Sequence, residues 1–303
     1  MERALVMSER ETILQNEYLS LQLLPEAGGR VGRLLVKKHK LEIFKPIDST
    51  HLFDPLNWPK GGVYPLIPYS NRIADAQLNF DGKKYDLPIH PQAIPHTLHG
   101  VGHTQAWKLD ECTSTKAVLS LEYDSEHWPW PIRAEQHFEL VGSALSVTLA
   151  VMNKGASSMP AGLGLHPYFN AHPHMQVSFS SQRQWAISQD YLATGECTEG
   201  EVRREITPDD WAHDTCAEYL SGWGGVACVT YPEGRLRMLA SEELDHLVVF
   251  APADAPYLCL EPVSHLANGF NLLPSLGRAS GTRSISPGET LTSTIKFEWS
   301  EGR

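Results

Sequence analysis

The chain has 303 residues, of which 42% are hydrophobic, and a formal net charge of -11 at pH 7. This hydrophobic fraction supplies a sizeable core, while the negative charge argues against binding to nucleic acid or to an anionic membrane surface. We expect neither a secretory signal nor a membrane anchor, because no apolar run has the required position or length. The cysteines form no CxxC pair, which disfavours a disulfide framework and predicts a reduced, cytoplasmic protein. They are Cys112, Cys197, Cys216, Cys228 and Cys259.

Strand patterns dominate the chain from one end to the other. Apolar and polar residues alternate with a period of two, as in strands with one buried face, in Leu119–Tyr123, Leu145–Val151 and Ile295–Trp299. The turn Pro232-Glu233-Gly234 predicts a hairpin between Val226–Tyr231 and Leu236–Leu239. No sustained helical periodicity, internal repeat or linker is evident. The sequence therefore predicts one large, mostly antiparallel all-β domain over residues 1–303, with long loops.

One motif, Leu163-Gly164-Leu165-His166-Pro167-Tyr168-Phe169-Asn170, combines a histidine with aromatic rings and an amide. Histidine can carry a proton in either direction near neutral pH, and an amide both donates and accepts hydrogen bonds. This mixture suits a polar ring-shaped ligand such as a sugar. The alternative is a histidine held in a turn at the end of a strand.

Further polar candidates lie in the loops before this motif. Arg72, beside Asn71, can hydrogen-bond sugar hydroxyls, although such an arginine is often a simple surface residue. His99 lies on a turn with Gly100, and Trp107 follows, which also suits a sugar pocket. The neighbouring His90, His96 and His103 raise the possibility of a metal site. No carboxylate or thiolate lies at ligand spacing, so we expect no metal.

Two acids in the second half of the chain are candidates for chemistry. Asp214, in His213-Asp214-Thr215-Cys216, resembles a solvated loop charge when it is taken alone. Glu261 ends the apolar run Pro256–Leu260, where a carboxylate is costly unless it is paired or used. We therefore expect the pKa of Glu261 to be shifted. The segment Trp128-Pro129-Trp130-Pro131 could stack on a ligand, but packing is the favoured interpretation.

Taken in order, these motifs resemble the aldose 1-epimerase (galactose mutarotase) family. The elements that match are Asn71-Arg72-Ile73, Leu98-His99-Gly100 with Trp107, the His166–Asn170 motif, Asp214, and Leu260-Glu261-Pro262 followed by Asn271. The resemblance implies a large antiparallel β-sandwich with an open sugar cleft, and no cofactor or metal. It implies that Glu261 is the general base at the anomeric hydroxyl, that His166 is the acid at the ring oxygen, and that His99 assists. The sugar hydroxyls would be held by Arg72, Asn71, Asp214 and Asn170.

The sequence also departs from the family pattern. Gly162-Leu163-Gly164-Leu165 replaces a longer stretch rich in asparagine and threonine, so the chain is more similar to divergent bacterial-type branches. The segment Val101–Ala106 carries no permanent cation, which favours a neutral aldose over a hexose phosphate. A phosphorylated or sulfonated hexose stays an alternative if Arg133 or Arg183 folds into the cleft.

Two other classes of function compete with this interpretation. A glycoside hydrolase needs two carboxylates, for which Asp214 and Glu261 could serve, but the histidines would then have no task. A non-catalytic sugar-binding protein of the same fold is the second alternative. For the aldose 1-epimerase interpretation we expect a small sugar as the partner, and a monomer or a homodimer.

Overall fold

The computed structural model describes residues 11–48 and 53–302, and strands dominate it. The first half contains β1 (Thr12–Gln15), β2 (Leu19–Leu24), β3 (Arg30–Val36), β4 (Leu41–Glu42), β5 (Val63–Leu66), β6 (Arg72–Ile73), β7 (Gln77–Phe80), β8 (Lys83–Asp86), β9 (Thr97–Leu98), β10 (Lys108–Cys112), β11 (Lys116–Ser125) and β12 (Trp128–Val141). The second half contains β13 (Ala144–Asn153), β14 (Met159–Ala161), β15 (Gly164–Asn170), β16 (Gln176–Ile187), β17 (Ala193–Ile206), β18 (Cys216–Ser221), β19 (Val226–Tyr231), β20 (Gly234–Ala240), β21 (His246–Ala251), β22 (Tyr257–Val263), β23 (Arg283–Ile285) and β24 (Thr290–Glu301).

Within the described residues, 18 of these strands are hydrogen-bonded into one continuous antiparallel sheet system. The all-β prediction is confirmed, and so is the hairpin, which joins β19 to β20 with Tyr231 opposite Gly234. The alternating segments lie in β11, β13 and β24, and their apolar residues point into the core. Trp128 and Trp130 lie in β12 and are buried in the main core, which confirms the packing interpretation.

The helical content is small. The longest helix in the described chain, α1 (Gly269–Leu276), has eight residues and follows β22. The segment after Trp211 is not helical, because a single 3-10 turn ends at this residue and β18 begins at Cys216. No helix in the described part of the chain is long and apolar enough to cross a membrane.

One row of residues crosses five neighbouring strands of the sheet. Tyr219 on β18 faces Val248 on β21, and Val248 faces Glu261 on β22. The pairs Gly164–Val263 and Tyr168–Cys259 place His166 on β15 opposite Glu261, and His166 faces Tyr64 on β5. Directly opposite residues share a face of a sheet. The register of the ladder therefore brings the histidine and the carboxyl together, although 95 positions separate them in the sequence.

Candidate functional site

A cleft of about 230 Å³ lies over the centre of this row. Its walls are largely aromatic, and its floor holds the opposed histidine and carboxyl. Aromatic walls with a few polar groups are typical of small-molecule sites. The aromatic lining consists of Trp58, Tyr168, Tyr191, Tyr219, Phe250 and Tyr257.

The chemical centre of the cleft is the pair formed by His166 and Glu261. His166 Nε2 lies 3.2 Å from Glu261 Oε1, and both side chains are almost completely buried. The second carboxyl oxygen, Oε2, has no hydrogen-bond partner among the described residues. A buried acceptor without a partner is costly, and in a cleft it is available to a ligand hydroxyl.

The ring of His166 is fixed by two tyrosines. It stacks on Tyr64 and on Tyr168, with 4.6 Å between ring centroids on each side. The hydroxyl of Tyr168 accepts a hydrogen bond of 3.3 Å from Trp58 Nε1, which holds this outer ring in turn. Because the histidine packs against two tyrosine rings that also contact each other, its orientation is set before any ligand arrives.

Burial determines the proton balance of the pair. It raises the pKa of Glu261 well above the ordinary value of 4.5. It also lowers the pKa of His166 well below 6.5, assisted by the charges of Lys60 and Arg30. Both shifts favour neutral forms, as expected for ionisable groups removed from water. Burial therefore favours a protonated carboxyl beside a neutral imidazole in the free site.

His99 is held in one tautomer by the backbone. The N–H of Asn71 donates a 3.0 Å hydrogen bond to His99 Nδ1, so in the neutral ring Nε2 carries the proton and can donate into the cleft. Burial, followed by the charges of His166 and His103, lowers the pKa of His99 and keeps the ring neutral.

The turn that carries His99 has a demanding backbone. His99 has a φ of +63° and Gly100 a φ of +69°. A Cβ at Gly100 would lie 2.3 Å from the carbonyl oxygen of Ile67, so only glycine fits there. Left-handed conformation in a non-glycine residue is concentrated at functional sites. The backbone conformation of this turn therefore requires Gly100, in addition to the chemistry that requires His99.

Arg72 and Asn71 line the cleft next to His99. The Arg72 guanidinium donates to the carbonyl oxygen of Asp190 and lies 5.0 Å from the ring centroid of Tyr191. Asn71 Nδ2 donates to the hydroxyl of Tyr219 at 3.1 Å, and that hydroxyl donates to the Tyr191 carbonyl. The turn between β16 and β17 thus fixes both predicted ligand-binding residues.

Two predicted site residues do not line the cleft. Asp214 is exposed in the segment between the 3-10 turn and β18. Asn170 ends β15 opposite the cleft residue Tyr257, and its backbone N–H donates to the carbonyl oxygen of Ile43, but Asn170 itself is not part of the cleft lining. The structure therefore brings together Asn71, Arg72, His99, His166 and Glu261, but neither of these two.

Lys60 is a cleft residue that the sequence analysis missed. Its ammonium donates 2.8 Å to Gln92 Oε1 and lies 3.9 Å from the ring centroid of Trp58. Burial, with the charge of Arg30, lowers the pKa of Lys60 to about 8. No motif spacing in the segment Trp58-Pro59-Lys60 predicts that Lys60 lines the cleft. The sequence offers one indication, which is an aromatic residue followed by proline and lysine.

Arg30 lies behind the cleft with no exposed surface. Its guanidinium is 4.5 Å from the ring centroid of Tyr64, and Nη2 donates to the carbonyl oxygen of His103 at 3.2 Å. Nε and Nη1 have no partner among the described residues. Burial lowers the pKa of Arg30 to about 10, so the group stays charged at neutral pH. The buried positive charge of Arg30 thus contacts Tyr64, and the ring of Tyr64 stacks on His166.

The histidines His90, His96, His99 and His103 raise the question of a metal site. Within residues 11–48 and 53–302, no group of three or more histidine, cysteine, aspartate or glutamate side chains is arranged to hold an ion. His96 Nε2 contacts the Asp190 carboxylate at 2.8 Å, and His99 accepts a backbone hydrogen bond. These two histidines therefore have structural partners of their own.

The large antiparallel sheet gives the chain a galactose mutarotase-like fold, and the aromatic cleft over this sheet holds the buried carboxyl–imidazole pair. The family model for aldose 1-epimerase matches residues 14–298. The chain belongs to the aldose 1-epimerase family.

The chain is also similar to individual proteins and solved structures. The uncharacterized protein YphB of Escherichia coli (strain K12) is 27% identical over 275 residues, which cover 83% of this chain and 90% of YphB. A candidate aldose 1-epimerase from Escherichia coli K12 superposes with a TM-score of 0.84 at 22% identity, covering 97% and 99% of the two chains. A galactose mutarotase-like protein from Clostridium acetobutylicum gives a TM-score of 0.79 at 20% identity, with 97% and 98% covered. At these identities the two structures establish the shared fold.

Proposed function

We propose that this protein is an aldose 1-epimerase that interconverts the α and β anomers of an aldose by acid–base ring opening. Glu261 acts as the base at the anomeric hydroxyl, and His166 acts as the acid at the ring oxygen. The observation that carries the proposal is the 3.2 Å contact between these two side chains at the floor of the cleft. Ring opening needs an acid and a base on different oxygens, and the pair supplies both.

The geometry of an aldose fits this arrangement. The anomeric hydroxyl and the ring oxygen are bonded to the same carbon, so two proton-transfer groups that act on them must be neighbours. Glu261 Oε2, without a partner in the described chain, can accept the hydroxyl proton. The ring then opens to the free aldehyde, rotation exposes its other face, and reclosure reverses the two proton transfers.

One proton is sufficient for the cycle. In the form that opens the ring, Glu261 is a carboxylate and His166 is an imidazolium, whereas after opening both are neutral. The two forms have the same total charge and differ by the position of one proton, so interconversion does not change the net charge of the buried site. The pKa values of the two groups are shifted in opposite directions by burial, which is typical of groups at acid–base sites.

The surrounding groups receive supporting roles. His99 Nε2–H is a neutral donor that can stabilise negative charge developing at the ring oxygen or an adjacent hydroxyl. Arg72 and Asn71 can hold sugar hydroxyls, while Asp214 and Asn170 are left out because they do not line the cleft. Aromatic walls bind the apolar faces of a sugar ring.

The alternatives fit the cleft less well. A glycoside hydrolase needs a second carboxylate, and Glu261 is the one acid among the described residues that line the cleft. A sugar-binding protein without catalysis would not need a buried acid beside a histidine, which is costly to maintain. Two cations in the cleft, Lys60 and Arg72, argue against the strictly neutral aldose that the sequence favours.

Anomer exchange tests the proposal directly. Freshly dissolved α-glucose, α-galactose and acidic hexoses would be followed by polarimetry, and exchange at equilibrium by saturation-transfer NMR. We expect catalysed exchange with at least one of these sugars. Binding of all of them without exchange above the buffer rate would contradict the proposal and favour a sugar-binding protein.

A further inference from the structure

The charge of the cleft differs from the charge of the chain. Of the charged side chains that the structure describes, Lys60, Arg72 and Glu261 line it. Glu261 forms a pair with His166 that contributes no net charge in either proton arrangement. The cleft is therefore positive, although the chain carries a net charge of -11. The whole chain has 36 acidic and 25 basic residues, so the cleft has the opposite sign of charge from the chain as a whole.

Both cations lack a carboxylate partner in the described part of the chain. The Lys60 ammonium contacts an amide oxygen and an indole face, which leaves hydrogen-bonding capacity for a ligand. The Arg72 guanidinium contacts a backbone carbonyl and a phenol ring. A half-buried cation without a counterion is unfavourable unless an anion completes the site.

Two arginines that the sequence suggested for an anionic sugar are paired with carboxylates. Arg133 contacts Glu122 at 2.8 Å and Glu135 at 2.9 Å, and Arg183 contacts Glu199 at 3.0 Å. Neither arginine lines the cleft, so neither is the clamp that the sequence analysis considered for an anionic sugar. The cations that do line the cleft come from other loops and are free of such pairing.

The buried Arg30 adds to the same positive region. It lies close enough to Lys60 to disfavour the charged form of that lysine. Arg30 also contacts Tyr64, whose ring stacks on His166. The charges of Arg30 and Lys60 thus both act on His166, and Glu261 is the one acid among the described residues that line the cleft.

We infer that the cleft recognises an aldose bearing an acid group, a carboxylate, sulfonate or phosphate, which Lys60 and Arg72 bind while the anomeric carbon lies over His166 and Glu261. This inference rests on the proposed function for the reaction and extends it to the class of substrate. Charge-assisted hydrogen bonds to both cations would supply the affinity.

The net negative charge of the chain does not prevent this binding. Repulsion from distant surface acids is screened beyond about 8 Å at physiological ionic strength. The contacts to Lys60 and Arg72 are made at hydrogen-bond distance in a partly dehydrated cleft, where charges act most strongly. Local attraction therefore outweighs the distant repulsion.

Calorimetric binding at pH 7 tests the inference independently of turnover. The sugars are glucose, glucuronate, glucose 6-phosphate and 6-deoxy-6-sulfoglucose, and the proteins are the wild type, Lys60→Met, Lys60→Arg and Lys83→Met. We expect at least one acid sugar to bind about 10- to 100-fold more tightly than glucose. Lys60→Met should lose this preference and Lys60→Arg should keep it. Lys83→Met removes an exposed cation outside the cleft and should change nothing.

The outcomes separate the two proposals. Glucose binding as tightly as every acid sugar, or an undiminished preference in Lys60→Met, would overturn the inference. Tight binding of an acid sugar without anomer exchange would support the inference and contradict the proposed reaction. The acid sugar with the highest affinity identifies which acid group the cleft accepts.

Discussion

Replacing Glu261 by glutamine separates the catalytic role of this carboxyl from its effect on stability. Glutamine has nearly the same shape, and it can still hydrogen-bond to His166 across the 3.2 Å gap. It cannot accept the anomeric proton. Loss of a general base typically lowers a rate by about 100- to 10,000-fold. We therefore expect exchange in Glu261→Gln to fall by this factor while sugar binding is largely retained.

The same substitution should not reduce the free energy of unfolding. Burial raises the pKa of Glu261 above 4.5, so the native state holds a proton that the unfolded chain releases at higher pH. The wild type therefore loses stability as the pH rises from 4.5 towards the native pKa, by up to about 1.4 kcal/mol per pH unit. Glutamine has no such proton. The stability of the variant relative to the wild type should increase over this range.

The assays are saturation-transfer NMR for exchange and denaturant unfolding at a series of pH values. Glu218→Gln is a matched control, because this half-buried carboxyl contacts Arg204 at 2.7 Å and does not line the cleft. It should lose some stability and keep its exchange rate. Near wild-type exchange in Glu261→Gln, or a loss of stability that grows with pH, would refute the assignment of Glu261 as a buried base.

Three further predictions concern the histidine and the cations. His166→Asn should lower exchange by about 100- to 10,000-fold, whereas the exposed His137→Asn should not; equal effects in NMR exchange would contradict the acid role. Arg30→Met removes a buried positive charge, so the pKa of His166 should rise, as followed by NMR titration of its ring signals. Arg33→Met, an exposed control, should leave this pKa unchanged. Binding of an acidic hexose should weaken as the pH rises through about 8, the pKa of Lys60, and Lys60→Arg should remove this dependence in calorimetry.

The sequence predicts the fold and much of the site because both depend on local patterns. Alternation identifies β13 and β24, and the cost of a carboxylate after an apolar strand singles out Glu261. The ordered motifs correctly group His99 and His166 in one cleft. The alternation can be identified within a single strand. Glu261 can be identified because a carboxylate is unusual beside an apolar strand.

The rest of the site depends on how long loops return to the sheet. Lys60 precedes β5 in a segment with no diagnostic spacing, and Tyr191 lies in a turn between two long strands. Their contacts with the cleft are set by tertiary packing. Asp214 shows the converse problem. It occupies the expected place in the order of the motifs along the chain, but in the structure it lies on an exposed connection.

The row of residues across five strands also has a consequence for biosynthesis. The carboxyl at position 261 and the histidine at position 166 meet only when β15 and β22 are paired, and β22 is close to the C-terminal end of the described chain. Contacts between distant segments form late, because closing a long loop costs entropy before the contact stabilises it. A nascent chain that has emerged only as far as β21 therefore lacks one half of the reactive pair. Truncating the chain before β22 would therefore remove the Glu261 carboxyl and leave His166 without its partner in the ladder.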